Sequence, residues 1–280
     1  MKKTNLIIFF LLALIGGLGL SIYFRAKPVT EQISADIPST FPTEPVKNSI
    51  VHYPVPEPET TPAVVAESGD NETVPQVAAQ PAKEVAKPQI DAHNFQKAFT
   101  QSIADQDSNK LLLMENFIQK FVVTIDNLPN KRLPRAHLPI IAPGGKFLVA
   151  GTAEEPQISD KNYPRYNRYV TLMESVNQTL AIKVYTYFYP LFQKAYEQLG
   201  YKSAYFNDRL VYVIDHLLTT PNPPDPILLA QPAVLFTYAD PELENLSAGQ
   251  KILLRLGQEQ RGKVFQLLQS YREKLVNLHP

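Results

Sequence analysis

The stretch from Leu6 to Phe24 runs about 19 residues without a charged side chain, and it sets the plan of everything after it. About 20 apolar residues at 1.5 Å rise cross the hydrocarbon core of a bilayer. Inside hydrocarbon the backbone must satisfy its own hydrogen bonds, so the run is expected to be a helix. A cleaved signal peptide is the competing reading. Its apolar core spans about 7–15 residues and ends at a small-residue cleavage site. Here the run is longer and exits through Ile22-Tyr23-Phe24, which suits an interfacial aromatic belt. Residues 1–27 are therefore expected to form an uncleaved transmembrane anchor, with the membrane as partner. The chain has no cysteine, which excludes a lipoprotein anchor and fits an oxidising compartment.

Residues 28–90 have a different composition. Between Pro28 and Pro88 there are 11 prolines, nine acids and three lysines. Proline fixes φ and supplies no amide donor, so helix and central strand are disfavoured. Apolar content is too thin to offset the entropy of ordering. A disordered, acidic, proline-rich linker is expected, reaching at most about 190 Å if fully extended. Runs such as Tyr53-Pro54-Val55-Pro56-Glu57-Pro58 also suit a docking strip for a proline-reading partner. Lys2 and Lys3 precede the anchor, and Arg25 and Lys27 follow it, so flanking charge is nearly balanced. The acidic linker tips the expectation toward a single-pass protein with its amino terminus inside and its carboxyl-terminal domain outside, which is the periplasm if the cell is Gram-negative.

Residues 91–280 are long enough for one domain with a substantial core. They carry 20 Lys plus Arg against 18 Asp plus Glu, without the basic excess that nucleic acid attracts. Helical spacing dominates. Leu111, Met114, Phe117, Phe121 and Ile125 predict one helix from Lys110 to the Leu128-Pro129 stop, after a shorter one carrying Phe95, Phe99 and Ile103. Further helices are expected from Asp160 to Val176 and from Thr179 to Leu199, the latter kinked or divided at Pro190. Others follow from Tyr205 to Leu218, from the capping-box spacing at Ser247 and Gln250 to Gly257, and through Val264, Leu268 and Tyr271. Lys146–Ala150 reads as a strand of a small hairpin, and Ile227–Tyr238 as an extended segment pairing with it. The expected fold class is mainly α: a helical globular domain with a minor β-hairpin/strand element, after an N-terminal transmembrane helix and disordered linker.

No catalytic signature stands out. The five histidines lack the spacing of a metal site, and there is no phosphate loop or Gly-x-Ser-x-Gly elbow. No catalytic residue, metal or cofactor is expected. Two stretches offer ligand-binding candidates. Tyr163, Arg165, Tyr166 and Arg168 recur every three residues, so each type shares a helix face; such a face suits a glycan or a carboxylate, or simply packs. Asn207, Asp208 and Arg209, with Asp215 and His216, place two carboxylates two turns apart on one face. They suit acid–base work, ligand binding, or a polar strip joining helices.

Several blocks carry a family resemblance. They are Glu115-Asn116-Phe117-Ile118 leading to Val123-Thr124-Ile125-Asp126-Asn127-Leu128-Pro129; Tyr189-Pro190-Leu191-Phe192-Gln193 with Ala195 to Tyr201; Phe206 to Leu210 with Ile214 to Leu218; and Ser247 to Lys251. In this order, over roughly residues 110 to 278, the chain resembles the proteobacterial domain of unknown function 3014 family. The resemblance implies a bacterial inner-membrane protein and carries no established activity. The expected function is a membrane-anchored periplasmic scaffold or adaptor, with an envelope protein or cell-wall polymer as partner. A glycan- or peptidoglycan-binding module, and a hydrolase using Asp208 and Asp215, are the alternatives.

Overall fold

Phenylalanines four apart organise the core of this computed structural model, which describes residues 53–57, 89–105 and 107–278. The expected anchor at Leu6–Phe24, and the rest of the linker, lie outside the described residues. Among those residues no helix is long and apolar enough to cross a membrane.

Helix α1 (Ala92–Gln101) is capped by Asp91, whose carboxylate accepts the Asn94 amide at 2.8 Å. It points Phe95 and Phe99 inward. They meet Phe117 of α2 (Phe117–Asn127) and Phe188 and Phe192 of α4 (Gln178–Gln198), and Phe121 of α2 joins them through Phe117 and Phe192. Phe95 alone lies 5.2 Å from Phe99, 6.0 Å from Phe117, 5.7 Å from Phe188 and 5.4 Å from Phe192, centroid to centroid. The last two are edge-on, the arrangement favoured by the ring quadrupole. In sequence α3 (Pro164–Ser175) lies between α2 and α4, and it starts on a proline whose missing amide costs a first turn nothing. Helix α5 (Phe206–Leu218) packs on α2, α4 and the last helix, α8 (Gly257–Val276).

Short α6 (Pro241–Glu244) and α7 (Ala248–Arg255) complete the helices. The capping box is present in full: the Ser247 hydroxyl accepts the Gln250 amide, and the Gln250 side chain accepts the Ser247 amide, both at 3.2 Å. The next free amides of α7 donate to α2's end, Ala248 to Asn130 O at 2.7 Å and Gly249 to Leu128 O at 3.0 Å. One helix start thus satisfies another helix's orphan carbonyls.

The β element is larger than one hairpin. Strands β1 (Val149–Gly151) and β2 (Pro156–Ile158) pair antiparallel, with Val149 opposite Ile158. Strands β3 (Leu229–Ala230) and β4 (Thr237–Tyr238) form a second hairpin, with Leu229 opposite Tyr238. A Gln157–Leu228 bridge joins the two, as the expected pairing of Ile227–Tyr238 requires. Ile158, Ile227, Leu229, Tyr238 and Leu243 make a satellite core beside Leu254 of α7.

Two local expectations need correction, and of the kink or division expected at Pro190 only division is ruled out. The helix expected from Lys110 begins at Phe117. Residues 108–111 form a single 3-10 turn, and the Leu111–Leu113 backbone pairs instead with Pro139 and Ile141 at 2.8 Å. Helix α4 is not divided: it runs as one element through Pro190, its buried aromatic face packed on α1 and α2. Residues 53–57, inside the stretch expected to be disordered, pack on the domain: Tyr53 and Val55 lie against the main core.

Candidate functional site

The polar residues at the start of α5 hold that stray segment. Tyr205, the residue before α5, makes no side-chain cap. Helix α4 supplies the cap from alongside: Gln193 Oε1 accepts the Phe206 amide at 2.9 Å, and Tyr189 Oη accepts the Asn207 amide at 3.4 Å. This satisfies the first amides and leaves the side chains of Asn207 and Asp208 available for something else.

That something is the backbone of Tyr53. Asn207 Nδ2 donates to the Tyr53 carbonyl at 2.8 Å, and the Tyr53 amide donates to Asp208 Oδ1 at 3.1 Å. Two adjacent side chains therefore read both backbone groups of one residue, which sits at a bend just before Pro54. Asn207 is fully buried and held on its other side. Tyr185 Oη donates to its Oδ1 at 3.1 Å, and its Nδ2 also reaches the Leu275 carbonyl at 3.3 Å. Burial raises the Tyr185 phenol well above its ordinary pKa, with help from Tyr189 and Asp208. Burial likewise pushes Tyr189 up to about 12, and Asp208 adds to the rise. Both phenols are protonated at any physiological pH and serve as fixed donors. The Asp208 carboxylate sits in the first turn of α5, where the helix dipole favours negative charge.

The other α5 candidates face different neighbours. Arg209 Nε donates to Asp126 Oδ1 at 2.9 Å and its Nη2 to the Asp126 carbonyl at 2.7 Å, tying α5 to α2. Asp215 accepts from Arg272 of α8 through both oxygens, the Nη2 contact at 3.2 Å. The Tyr53 phenol is among the groups that raise the Arg272 pKa, after Asp215. His216 Nε2 lies 2.9 Å from Ser247 Oγ at the start of α7. The structure thus brings Asn207 and Asp208 together on one target and sends Arg209, Asp215 and His216 to three different helices.

The tyrosine–arginine stretch is mostly turned inward. Tyr166 and Tyr169 are fully buried, and the Tyr169 hydroxyl donates to the Ile141 carbonyl at 2.9 Å. Arg165 donates to the carbonyls of Lys146 and Gly144 at 2.8 Å and of Gly145 at 3.2 Å, so it clamps the loop before β1. Tyr163 is half-buried and donates to Asp225 at 3.3 Å; burial, then Asp225, push its pKa up to about 12. Arg168 is exposed over the Tyr169 ring, 5.3 Å from its centroid.

Two further features bear on chemistry. Among the described residues no cluster of three or more His, Cys, Asp or Glu could hold a metal ion. A surface depression of about 260 Å³ lies between α1, α2 and α4, lined by Phe95, Gln96, Asn116, Ile118, Leu191 and Lys194 among others, none acidic or histidine. Tyr53, Tyr185, Tyr189, Gln193 and Arg272 are the site residues that sequence reasoning missed. The tyrosines and glutamine sit at helical spacing 185–189–193, a signal shared with any packed helix face.

Comparison with known proteins adds a family. Neither the curated proteins nor the solved structures contain a match to this chain. A family model does match, over residues 117–272, from the first residue of α2 into the last helix. That stretch is 156 of 280 residues, more than half of the chain, and the protein belongs to the family described as protein of unknown function (DUF3014).

Proposed function

We propose that this protein is a membrane-anchored scaffold or adaptor whose helical domain works by binding a polypeptide. The observation that carries this reading is the grip of Asn207 and Asp208 on both backbone groups of Tyr53. A domain that fixes an extended peptide through a buried, pre-oriented amide is built for recognition. Of the remaining charged candidates, Arg209 and Asp215 pair with Asp126 and Arg272, which supports a structural role for both. The apolar Leu6–Phe24 run supports a single membrane anchor, and the acidic linker supports a domain outside the bacterial inner membrane, in the periplasm.

Two measurements on the full-length chain test this. Paired reporters fused after Pro280, one active only outside and one only inside, locate the domain; activity of the outside reporter is expected. In-cell crosslinking followed by purification and mass spectrometry is expected to return a reproducible envelope protein attached through the domain. Capture of background alone, together with co-sedimentation with cell-wall polymer, would replace the adaptor with a glycan binder.

A further inference from the structure

We infer that the groove at the start of α5 is a binding site for extended, proline-punctuated peptides, and that Tyr53–Glu57 is its built-in occupant. The inference rests on the reading of the domain as a binding module and names its site, ligand class and regulation.

The site is built before the ligand arrives. Asn207 is fully buried, and its orientation is set by Tyr185 and the Leu275 carbonyl, neither of which belongs to the occupant. Asp208 is placed by the first turn of α5. Together they present one donor and one acceptor to the backbone of a single residue, as a strand pairing partner does. These contacts read backbone, so they transfer to any peptide of the right shape. Shape and side chains supply selection. In Tyr53-Pro54-Val55-Pro56 the prolines fix φ and hold the chain extended. Tyr53 and Val55 pack against the main core, while Pro56 is half-buried and Pro54 and Glu57 are exposed. Arg272, paired with Asp215 at the groove, stands near the Tyr53 phenol. The ligand class is thus an extended segment of the form aromatic-Pro-aliphatic-Pro.

Covalent attachment makes Tyr53–Glu57 a competitor. Thirty-one residues separate Glu57 from Gln89, and a short link of this kind raises local concentration to roughly the millimolar range. A partner segment of the same chemistry must displace it. Displacement also changes reach. With the segment docked, the 25 residues from Pro28 to His52 join anchor to domain, at most about 80 Å extended; released, the linker reaches about 190 Å. Partner binding and extension are coupled through one groove.

The test uses the full-length chain and a fluorescent peptide covering residues 50–60, read by anisotropy. Tyr53→Pro deletes the amide that Asp208 accepts, and Val55→Asp removes the apolar contact; the double variant empties the groove. It is expected to bind the peptide saturably, at least about tenfold more tightly than the wild-type chain, whose groove is filled. Adding Asp208→Ala to the emptied chain is expected to weaken binding about tenfold, and a scrambled peptide should not bind. In wild type the Tyr53 amide should exchange with solvent at least about tenfold more slowly than in folded Asp208→Ala, a readout that needs no emptied chain. Absence of saturable binding to a folded emptied chain, or equal Tyr53 exchange in both chains, overturns the site. A wild-type dimer dissociated by free peptide overturns the cis arrangement and makes the occupant a second copy. If crosslinking still returns an envelope partner when peptide binding fails, the adaptor reading survives and this groove does not.

Discussion

Asp126→Ala is the substitution that best separates a strut from a ligand site, because Arg209 was a candidate for both. Asp126 sits in the last turn of α2 and is 8% exposed. Its carboxylate accepts from Arg209 Nε at 2.9 Å and from the Tyr201 hydroxyl at 3.3 Å. Arg209 is braced further by the Asp126 carbonyl at 2.7 Å and lies 5.1 Å from the Tyr212 ring centroid. Alanine leaves that guanidinium with a carbonyl and a ring but no counter-charge. Removing one member of a buried pair costs about 3–5 kcal/mol. The Arg209 side chain keeps 25% of its surface and Asp126 12%, so water recovers part of that loss. The expected cost is roughly 2–3 kcal/mol after this discount, or a fall in melting midpoint of roughly 5–10 °C for a domain of this size.

Urea unfolding followed by tyrosine fluorescence measures it; the chain has 14 tyrosines and no tryptophan to obscure them. Arg209→Ala and the double variant complete the cycle, with an expected coupling of about 1–2 kcal/mol. A loss below about 0.5 kcal/mol, or losses that add without coupling, would refute the strut. Arg209 would then return to the ligand-binding candidates.

Three further outcomes are expected. Phe95→Ala removes a ring that touches four others and should cost about 4 kcal/mol in urea titration, the middle of the range for buried aromatics. Gly257 has φ +76°, and a Cβ there would meet the Tyr163 ring at 3.0 Å; Gly257→Ala should lower stability by about 1–3 kcal/mol in the same titration. Burial, and secondarily the charge of Arg209, lower the His216 pKa from its ordinary value. The unfolded chain then takes up this proton first as pH falls. Its contribution is complete above about pH 6.5 and is lost as pH drops through the folded value. Urea midpoints should therefore fall between pH 7.5 and 5.5, and less steeply in His216→Gln.

Local signals were legible and distant ones were not. The Ser247–Gln250 capping box, the Phe95–Phe99 spacing and the Leu128-Pro129 stop depend on residues within one turn, and the structure shows each. The helix expected from Lys110 failed because Leu111 and Met114 keep helical spacing while the intervening backbone pairs with residues 139–141. Period alone does not say which partner takes the amides. Composition reads residues 53–57 as linker or docking strip and does not point to their own domain, because proline content says what a segment cannot become and nothing about what it packs on. At the site, Asn207 and Asp208 were visible as a polar patch. Their target lies about 155 residues earlier in the chain, a separation no local pattern reports.

Helix α5 shows why such a patch misleads and where function has room to act. Its polar side chains read together as a reaction centre: two carboxylates, an arginine and a histidine along one helix. Each is spent on a different neighbour: Arg209 on α2, Asp215 on α8, His216 on the cap of α7. Those neighbours carry core residues of their own, so these contacts tie α5 to the frame of the domain. Asn207 and Asp208 differ in one respect. What they hold brings two partly buried side chains and arrives from outside the helical body, so it can leave at the cost of those contacts alone. A polar pair whose near side is fixed by Tyr185, and whose far side grips something replaceable, meets the physical requirement for a binding site. The rest of α5 meets the requirement for a frame that keeps that site in shape.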